Sequence, residues 1–302
     1  MEHILTETTV IRSLERADLE RAGEVLFGAF TTNAVSRGYA PALRSVQEGV
    51  SWAWALLRHE PAERLVAVQE DRVVGICCLT PRGLLGGIGP VAVDPECQGR
   101  GIGRKLLQAV LHKAGGCSSI RLFQEAFNPA SFSLYYGEGF SSVADLLDLR
   151  ADRGSRKRCE PCGQVSKATA ADLNEIHAYD APRSGADRRP DLGYLQQWGS
   201  IFIHRAEEKI TGYLACLPGA ASVQFGPLVA DGEEEACRLF RHAADAYADR
   251  PVQTRVMSRD RELVHALREA GFTLTCIDLL MVRGSWRPGR SIEAFGRFPE
   301  GA

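Results

Sequence analysis

The sequence predicts an α/β protein built as two copies of one domain, on three observations. "VVGICCLTP" at 73–81 aligns without gaps to "ITGYLACLP" at 210–218. At the same separation, "IGPVAVD" at 88–94 aligns to "FGPLVAD" at 225–231, and further on "GEGF" at 137–140 is answered by "EAGF" at 269–272. Three collinear matches exceed chance, so the order strand, Gly, strand, Gly-Pro, strand, helix, strand, helix, Gly-Phe is written twice. A chain of 302 residues has the length of two domains. The copies are assigned to 1–150 and 165–302, with the polar stretch "ADRGSRKRCEPCGQ" at 151–164 as linker. Cys159 and Cys162 within it form a lone CxxC, which cannot fill a four-ligand zinc site, and no metal is expected.

Composition narrows the class. Apolar content of 45% and charged content of 25% are those of an ordinary soluble globular protein. A net charge of −2 argues against a nucleic-acid or anionic-membrane partner. The apolar runs are too short to span a bilayer, and "MEHILTETTV" lacks the regions of a signal peptide. Nine scattered cysteines, several inside apolar runs, suit reduced thiols in the cytoplasm better than a disulfide framework.

Element by element, 10–14 reads as a short strand and 18–30 as an amphipathic helix. Residues 31–60 are less regular, although Val46, Val50, Trp54 and Leu57 recur at helical spacing. Strands follow at 64–69, 72–80 and 85–93, the first two joined by a hairpin turn at "EDRV". Ile102, Leu106, Val110 and Ala114 then mark a helix ending near Gly115-Gly116. A strand at 120–127, a helix at 130–137 and a strand at 140–149 complete the first copy.

The chemistry concentrates at Gln98-Gly99-Arg100-Gly101-Ile102-Gly103. Glycine lets a backbone approach a ligand closely, and the amides of a helix's first turn have no intrahelical partner and attract anions. Arg100, Arg104 and Lys105 add positive charge, so the backbone at 99–104 reads as a diphosphate site. The dinucleotide fingerprint GxGxxG is not met, and a Walker loop would need Lys-Ser/Thr after its last glycine. What matches is the Q/R-x-x-G-x-G/A loop. With "RLFQEAFNPASFSLYYGEGF" at 121–140, which fits the pattern Asn-x-x-Ser/Ala-x-x-x-Tyr-x-x-x-Gly-Phe, the chain resembles the GNAT N-acetyltransferases over most of 1–150.

The resemblance implies two tandem domains, each a mixed, mainly antiparallel sheet flanked by helices. It implies acetyl-CoA as co-substrate, lying in a splay between the strand ending near Val93 and the strand at 120–127. Backbone groups of Val91, Ala92 and Val93 would bond the acetyl carbonyl and pantetheine arm. The pyrophosphate would rest on the loop from Gln98 through Gly99, Arg100, Gly101, Ile102 and Gly103 to Arg104. Asn128 would contact pantetheine, Ser131 shares its helix face, and Tyr135 would protonate the departing thiolate. A thiol titrates near ~8.5 and tyrosine near ~10, so Tyr135 is protonated at neutral pH. Adjacent Tyr136 would point about 100° away on a helix.

The acceptor is less determined. A lysine-like amine costs about 4–5 kcal/mol to deprotonate at pH 7 and needs a base, for which Glu125 is the first carboxylate to test. Asn33, beside Thr31 and Thr32, lies where acceptor walls are built in such proteins. In the second copy three glutamates, Glu233 to Glu235, replace the glycine loop, and the segment before Gly271-Phe272 has no tyrosine. This copy is expected to keep the fold without the co-substrate, serving stability, homodimerisation or an acceptor wall. Asp187 and Arg188, in a segment resembling the C-terminal halves of some bacterial tandem GNAT proteins, would present charge to an acceptor. His177, His204, His242 and His265 share no metal-ligand spacing. The leading reading is a cytoplasmic N-acetyltransferase acting on a small-molecule or peptide amine. The alternative is a non-catalytic acyl-CoA-binding sensor or interaction protein, and a weaker third is transfer of longer acyl chains.

Overall fold

The computed structural model describes residues 8–60, 62–155, 164–286, 289 and 291–296. Cys159 and Cys162 lie outside them. The chain divides into two compact units, 1–80 with 88–116, and 81–87 with 117–302.

In the first unit, β1 (Val10–Ser13), β2 (Glu63–Gln69), β3 (Arg72–Arg82) and β4 (Leu85–Val93) come one after another in the sheet, β1–β2 and β2–β3 antiparallel. Glu70 and Asp71, both at positive φ (45° and 60°), make the two-residue turn between β2 and β3. Of the helices α1 (Leu19–Val35), α2 (Val46–Arg58) and α3 (Ile102–Lys113), α3 packs on β1 and β2 while α1 and α2 pack on each other. α1 outruns the expected 18–30 because Ala34 is still buried. Ser45 caps α2, accepting from the Glu48 amide at 3.3 Å. The apolar stripe of α2 is Gly49, Val50, Ala53 and Leu56, a correction to the stripe expected at Val46, Val50, Trp54 and Leu57. The cause is close approach: a Cβ on Gly49 would stand 2.2 Å from the Gly23 carbonyl oxygen on α1. That crossing sets the helix phase, leaves Val46 exposed and puts Trp54 against the guanidinium groups of Arg16 and Arg58.

In the second unit, β5 (Ser119–Glu125), α4 (Pro129–Gly137) and β6 (Ser141–Ala151) come from the first sequence copy. The second copy adds β7 (Val165–Lys167), α5 (Leu173–Ser184), α6 (Arg189–Trp198), β8 (Ser200–Ala206), β9 (Lys209–Pro218), β10 (Val223–Ala230), α7 (Glu233–Ala246), β11 (Val252–Met257), α8 (Arg261–Glu269), β12 (Thr273–Gly284) and β13 (Ile292–Phe295). The strand order is β5-β12-β6-β11-β13-β10-β9-β8-β7, mostly antiparallel, with β10 and β11 parallel over their first residues. Strands β6 and β12 are exchanged between the copies. β6 pairs with β11, Leu149 opposite Thr254, while β12 pairs with β5, Leu280 opposite Phe123. β13 enters between β10 and β11, Ala294 facing Leu228 on one side and Val256 on the other. The largest core, including Phe225, Leu239, Phe240, Val256 and Leu263, packs α7 and α8 on this sheet.

Repeated sequence gives repeated geometry. Gly89-Pro90 and Gly226-Pro227 are both cis, and the Asp94 and Asp231 amides donate to the carbonyls of Val74 and Thr211, each at 2.9 Å. Glu207 and Glu208, at positive φ, repeat the turn of Glu70 and Asp71. Among the described residues seven cysteines are free, and burial pushes the Cys78 thiol up to about 12. No helix of the described residues is long and apolar enough to cross a membrane.

Candidate active site

β4 carries Val91, Ala92 and Val93 to Asp94, where the chain leaves the sheet. The Asp94 carboxylate accepts from the Glu96 amide at 3.1 Å and caps a short 3-10 turn, Pro95–Cys97. Gln98 turns back, its amide nitrogen donating to the Val93 carbonyl at 3.0 Å, and an Arg100 Nη donates to the Glu96 carbonyl at 3.1 Å. Gly99 and Gly101 take φ of 77° and 80°, and a Cβ added to either would meet nothing within 4 Å. Packing therefore does not select these glycines; the left-handed backbone does. α3 begins at Ile102, whose side chain is buried, so that residue can serve a ligand only through its amide. Lys105 makes the first bond to the turn, to the Gly101 carbonyl at 3.1 Å. With no acidic residue in that turn and Arg104 and Lys105 exposed, the helix start carries positive potential.

The Asn128-to-Tyr135 segment belongs to the second unit. Asn128 caps α4, its Oδ1 accepting from the Ser131 amide at 3.3 Å, while the Ser131 hydroxyl donates to the Asn128 carbonyl. Gln124, buried at the end of β5, donates from one amide nitrogen to the carbonyls of Glu125 (2.6 Å) and Asn128 (2.7 Å) and to the Ser131 hydroxyl. Sequence reasoning missed this residue, because a lone glutamine in a strand carries no sign of where its amide points. Tyr135 is 7% exposed with its ring edge on Phe140, whereas Tyr136 is 65% exposed and stacks on Phe132. Glu125 is half-buried as the last residue of β5.

The second copy answers each feature differently. The Phe272 amide donates to the Leu267 carbonyl as the Phe140 amide does to that of Tyr135, so Leu267 holds the tyrosine's place. Asp260, the cap residue of α8, holds the place of Asn128, and burial pushes its carboxyl up to about 6. α7 starts two residues after Asp231, with Glu233, Glu234 and Glu235 in its first turn. Glu233 accepts from the Leu263 amide and Glu234 pairs with Arg238, so these acids are held within the chain.

Of the acceptor candidates, Asn33 accepts from Arg37 at 2.6 Å near the end of α1. Asp187 is held by both arms of the Arg189 guanidinium, which bring its carboxyl down to about 2. Arg188 is not a solvated charge. It is 4% exposed and bonded at 2.9 Å to fully buried Asp180, which also accepts from the Tyr213 hydroxyl. Arg82 and Asp191 form a second buried pair, at 2.5 Å. Asp148, Cys276 and Asp278 stand close enough to share an ion, but the Arg255 guanidinium pairs with both carboxylates.

The twice-written α/β fold, with a glycine loop leading into a helix in one copy, is that of an acyltransferase class. The chain belongs to the GNAT family of acetyltransferases. The acetyltransferase (GNAT) family model matches residues 32–140 and the acetyltransferase (GNAT) domain model matches 176–296, which makes the protein a tandem member. The uncharacterized N-acetyltransferase YitH of Bacillus subtilis is 25% identical over 195 residues, 63% of this chain and 67% of that protein. The mycothiol acetyltransferase of Clavibacter michiganensis is 32% identical over 151 residues, 45% of this chain and 49% of the relative, so the match spans about half of that protein. A tandem GNAT protein from the clavulanic acid biosynthesis pathway has the same fold, with a TM-score of 0.64 at 13% identity, over 93% of this chain and all of that one. The GCN5-related N-acetyltransferase of Sphaerobacter thermophilus compares at a TM-score of 0.62 and 16% identity, over 93% of this chain and 98% of that one.

Proposed function

We propose that the protein transfers the acetyl group of acetyl-CoA directly to an amine of a small molecule or peptide, with the chemistry in the first copy. The observation that carries this reading is the loop at 98–104, where two glycines at positive φ open onto free space ahead of a helix with no acid in its first turn. Those amides suit the diphosphate of CoA, and the charge of Arg100, Arg104 and Lys105 adds to them. Backbone groups of Val91 to Val93 would hold the acetyl arm, and Asn128 with Ser131 would face pantetheine.

The amine nitrogen attacks the thioester carbonyl, the carbon–sulfur bond breaks, and the thiolate takes its proton from the Tyr135 hydroxyl. Burial on the inner face of α4, with Tyr136 outside, supports Tyr135 in that role. Glu125 would take the proton that the amine gives up. The second copy would bind no acyl-CoA: Leu267, the three acids and inserted β13 all favour a role for it without the co-substrate. Asn33, Asp187 and Arg188 would bear on the acceptor, the last as a positioning residue because its guanidinium is committed to Asp180. A cytoplasmic location and dimer formation belong to the same reading.

The test is turnover of acetyl-CoA against a panel of amines, corrected for hydrolysis and including a mycothiol-type amine because relatives carry that name. Amine-dependent release of CoA that is lost in Tyr135→Phe supports the proposal. Tight CoA binding with no turnover on any amine would make the protein an acyl-CoA sensor instead.

A further inference from the structure

Asp94 stands where β4 ends and the loop begins, and it is 6% exposed. Its carboxylate receives the Glu96 amide, which starts the loop, and pairs with the guanidinium of Arg21 on α1. Arg21 Nε donates to the Val73 carbonyl at 3.0 Å and Nη1 to Glu24 at 2.6 Å. One side chain thus ties α1 to β3 and to the start of the loop. Arg72, more exposed, stands 3.8 Å from the same carboxylate.

The second copy builds the same clamp from other residues. Asp231 accepts from the Tyr179 hydroxyl and from Arg183 Nε, each at 3.0 Å and both from α5. The two aspartates lead into different segments. Gly232 alone separates Asp231 from α7, whereas residues 95–101 separate Asp94 from α3. In the second copy the clamp joins strand to helix; in the first it also fixes the start of a seven-residue loop.

We propose that Arg21 is a positioning residue for the co-substrate, which through Asp94 holds the 95–101 loop in the conformation that receives the diphosphate. It rests on the reading of 99–104 as that diphosphate site. Arg21 touches no reacting atom. A loop ordered in advance spares the complex the entropy of ordering it on binding, so loss of the clamp weakens affinity.

The two clamps provide their own control in the full-length chain, with CoA as probe. Calorimetry at 25 °C should give Arg21→Ala about tenfold weaker CoA binding than wild type, an effect of the size expected for ordering a few side chains and a short loop. Arg21→Lys, which can reach Asp94 with a single charge but cannot reproduce the guanidinium fork, should recover part of the loss. Arg183→Ala, which breaks the matching clamp beside no loop, should bind CoA as wild type does. Amide hydrogen exchange over 95–103 in the free protein should speed up in Arg21→Ala and not in Arg183→Ala. The proposal is overturned if Arg21→Ala keeps either wild-type affinity or wild-type exchange in the loop, or if Arg183→Ala weakens CoA equally. Gly101→Asp separates the two layers of inference. If that variant still binds CoA like wild type, the diphosphate reading fails and the proposal falls with it, whatever Arg21 does.

Discussion

Tyr135 and Leu267 occupy matching places five residues before a Gly-Phe turn's phenylalanine, and only one can donate a proton. For Tyr135→Phe we expect turnover to fall by about 10²-fold or more with CoA affinity unchanged, the size of a lost general acid. A rate near wild type removes the assignment. Asp260 allows a test without substrate. Burial raises its carboxyl from an ordinary value of 3.8 to about 6, so the folded state disfavours the ionised form. Its contribution to stability is therefore present at low pH and is lost as pH rises from about 4 to 6. Asp260→Asn removes that penalty and can cap α8 as Asn128 caps α4. It should match wild type near pH 4 and exceed it by about 1–3 kcal/mol at pH 8, measured by urea unfolding; a difference independent of pH contradicts the assignment. Tyr135 was legible because its distance from Phe140 is a matter of sequence. The clamps of Gln124 and Arg188 were not, since no sequence pattern shows which polar side chains burial turns inward: their partners are near in sequence, Asn128 and Asp180, whereas Arg82 finds Asp191 from far away.

The elements themselves are set by hydrophobic period and turn chemistry. The strands at 64–69, 72–80 and 85–93 and the helix from Ile102 lie within two residues of their expected ends. Period alone left the phase open, as α2 shows: Gly49 decides which face meets α1, and only the approach to Gly23 reveals it. The hairpin turns offer a direct check on local strain. Asp71 at φ 60° and Glu208 at φ 64° are side chains in a conformation suited to glycine. Asp71→Gly, or Glu208→Gly in the other copy, should stabilise the fold by about 0.5–1 kcal/mol, offset in part by the freer unfolded chain. A lower midpoint in urea would mean that the turn's side chains hold the hairpins by contacts of their own.

Across the whole molecule, the sequence reads as two copies laid end to end, yet the fold does not keep each copy to itself. β6 pairs with β11 and β12 with β5, each a strand of the other copy, which no local pattern records, because exchanged and unexchanged strands bury the same residues. Both strand neighbours of β6 come from beyond residue 164. Residues 1–150 expressed alone should therefore lack a cooperative unfolding transition, observed by circular dichroism; a sharp transition would mean that β6 can return to β5. The copies have also diverged chemically, one carrying a glycine loop and a tyrosine, the other acids, a leucine and an inserted strand. The most direct test of that division is calorimetric titration of the full-length chain with CoA, before and after Gly101→Asp. One CoA per chain is expected in wild type and none in the variant, whose carboxylate and strained backbone would stand at the phosphate site. Two CoA molecules per chain, or one that survives the substitution, would contradict the division of labour between the copies.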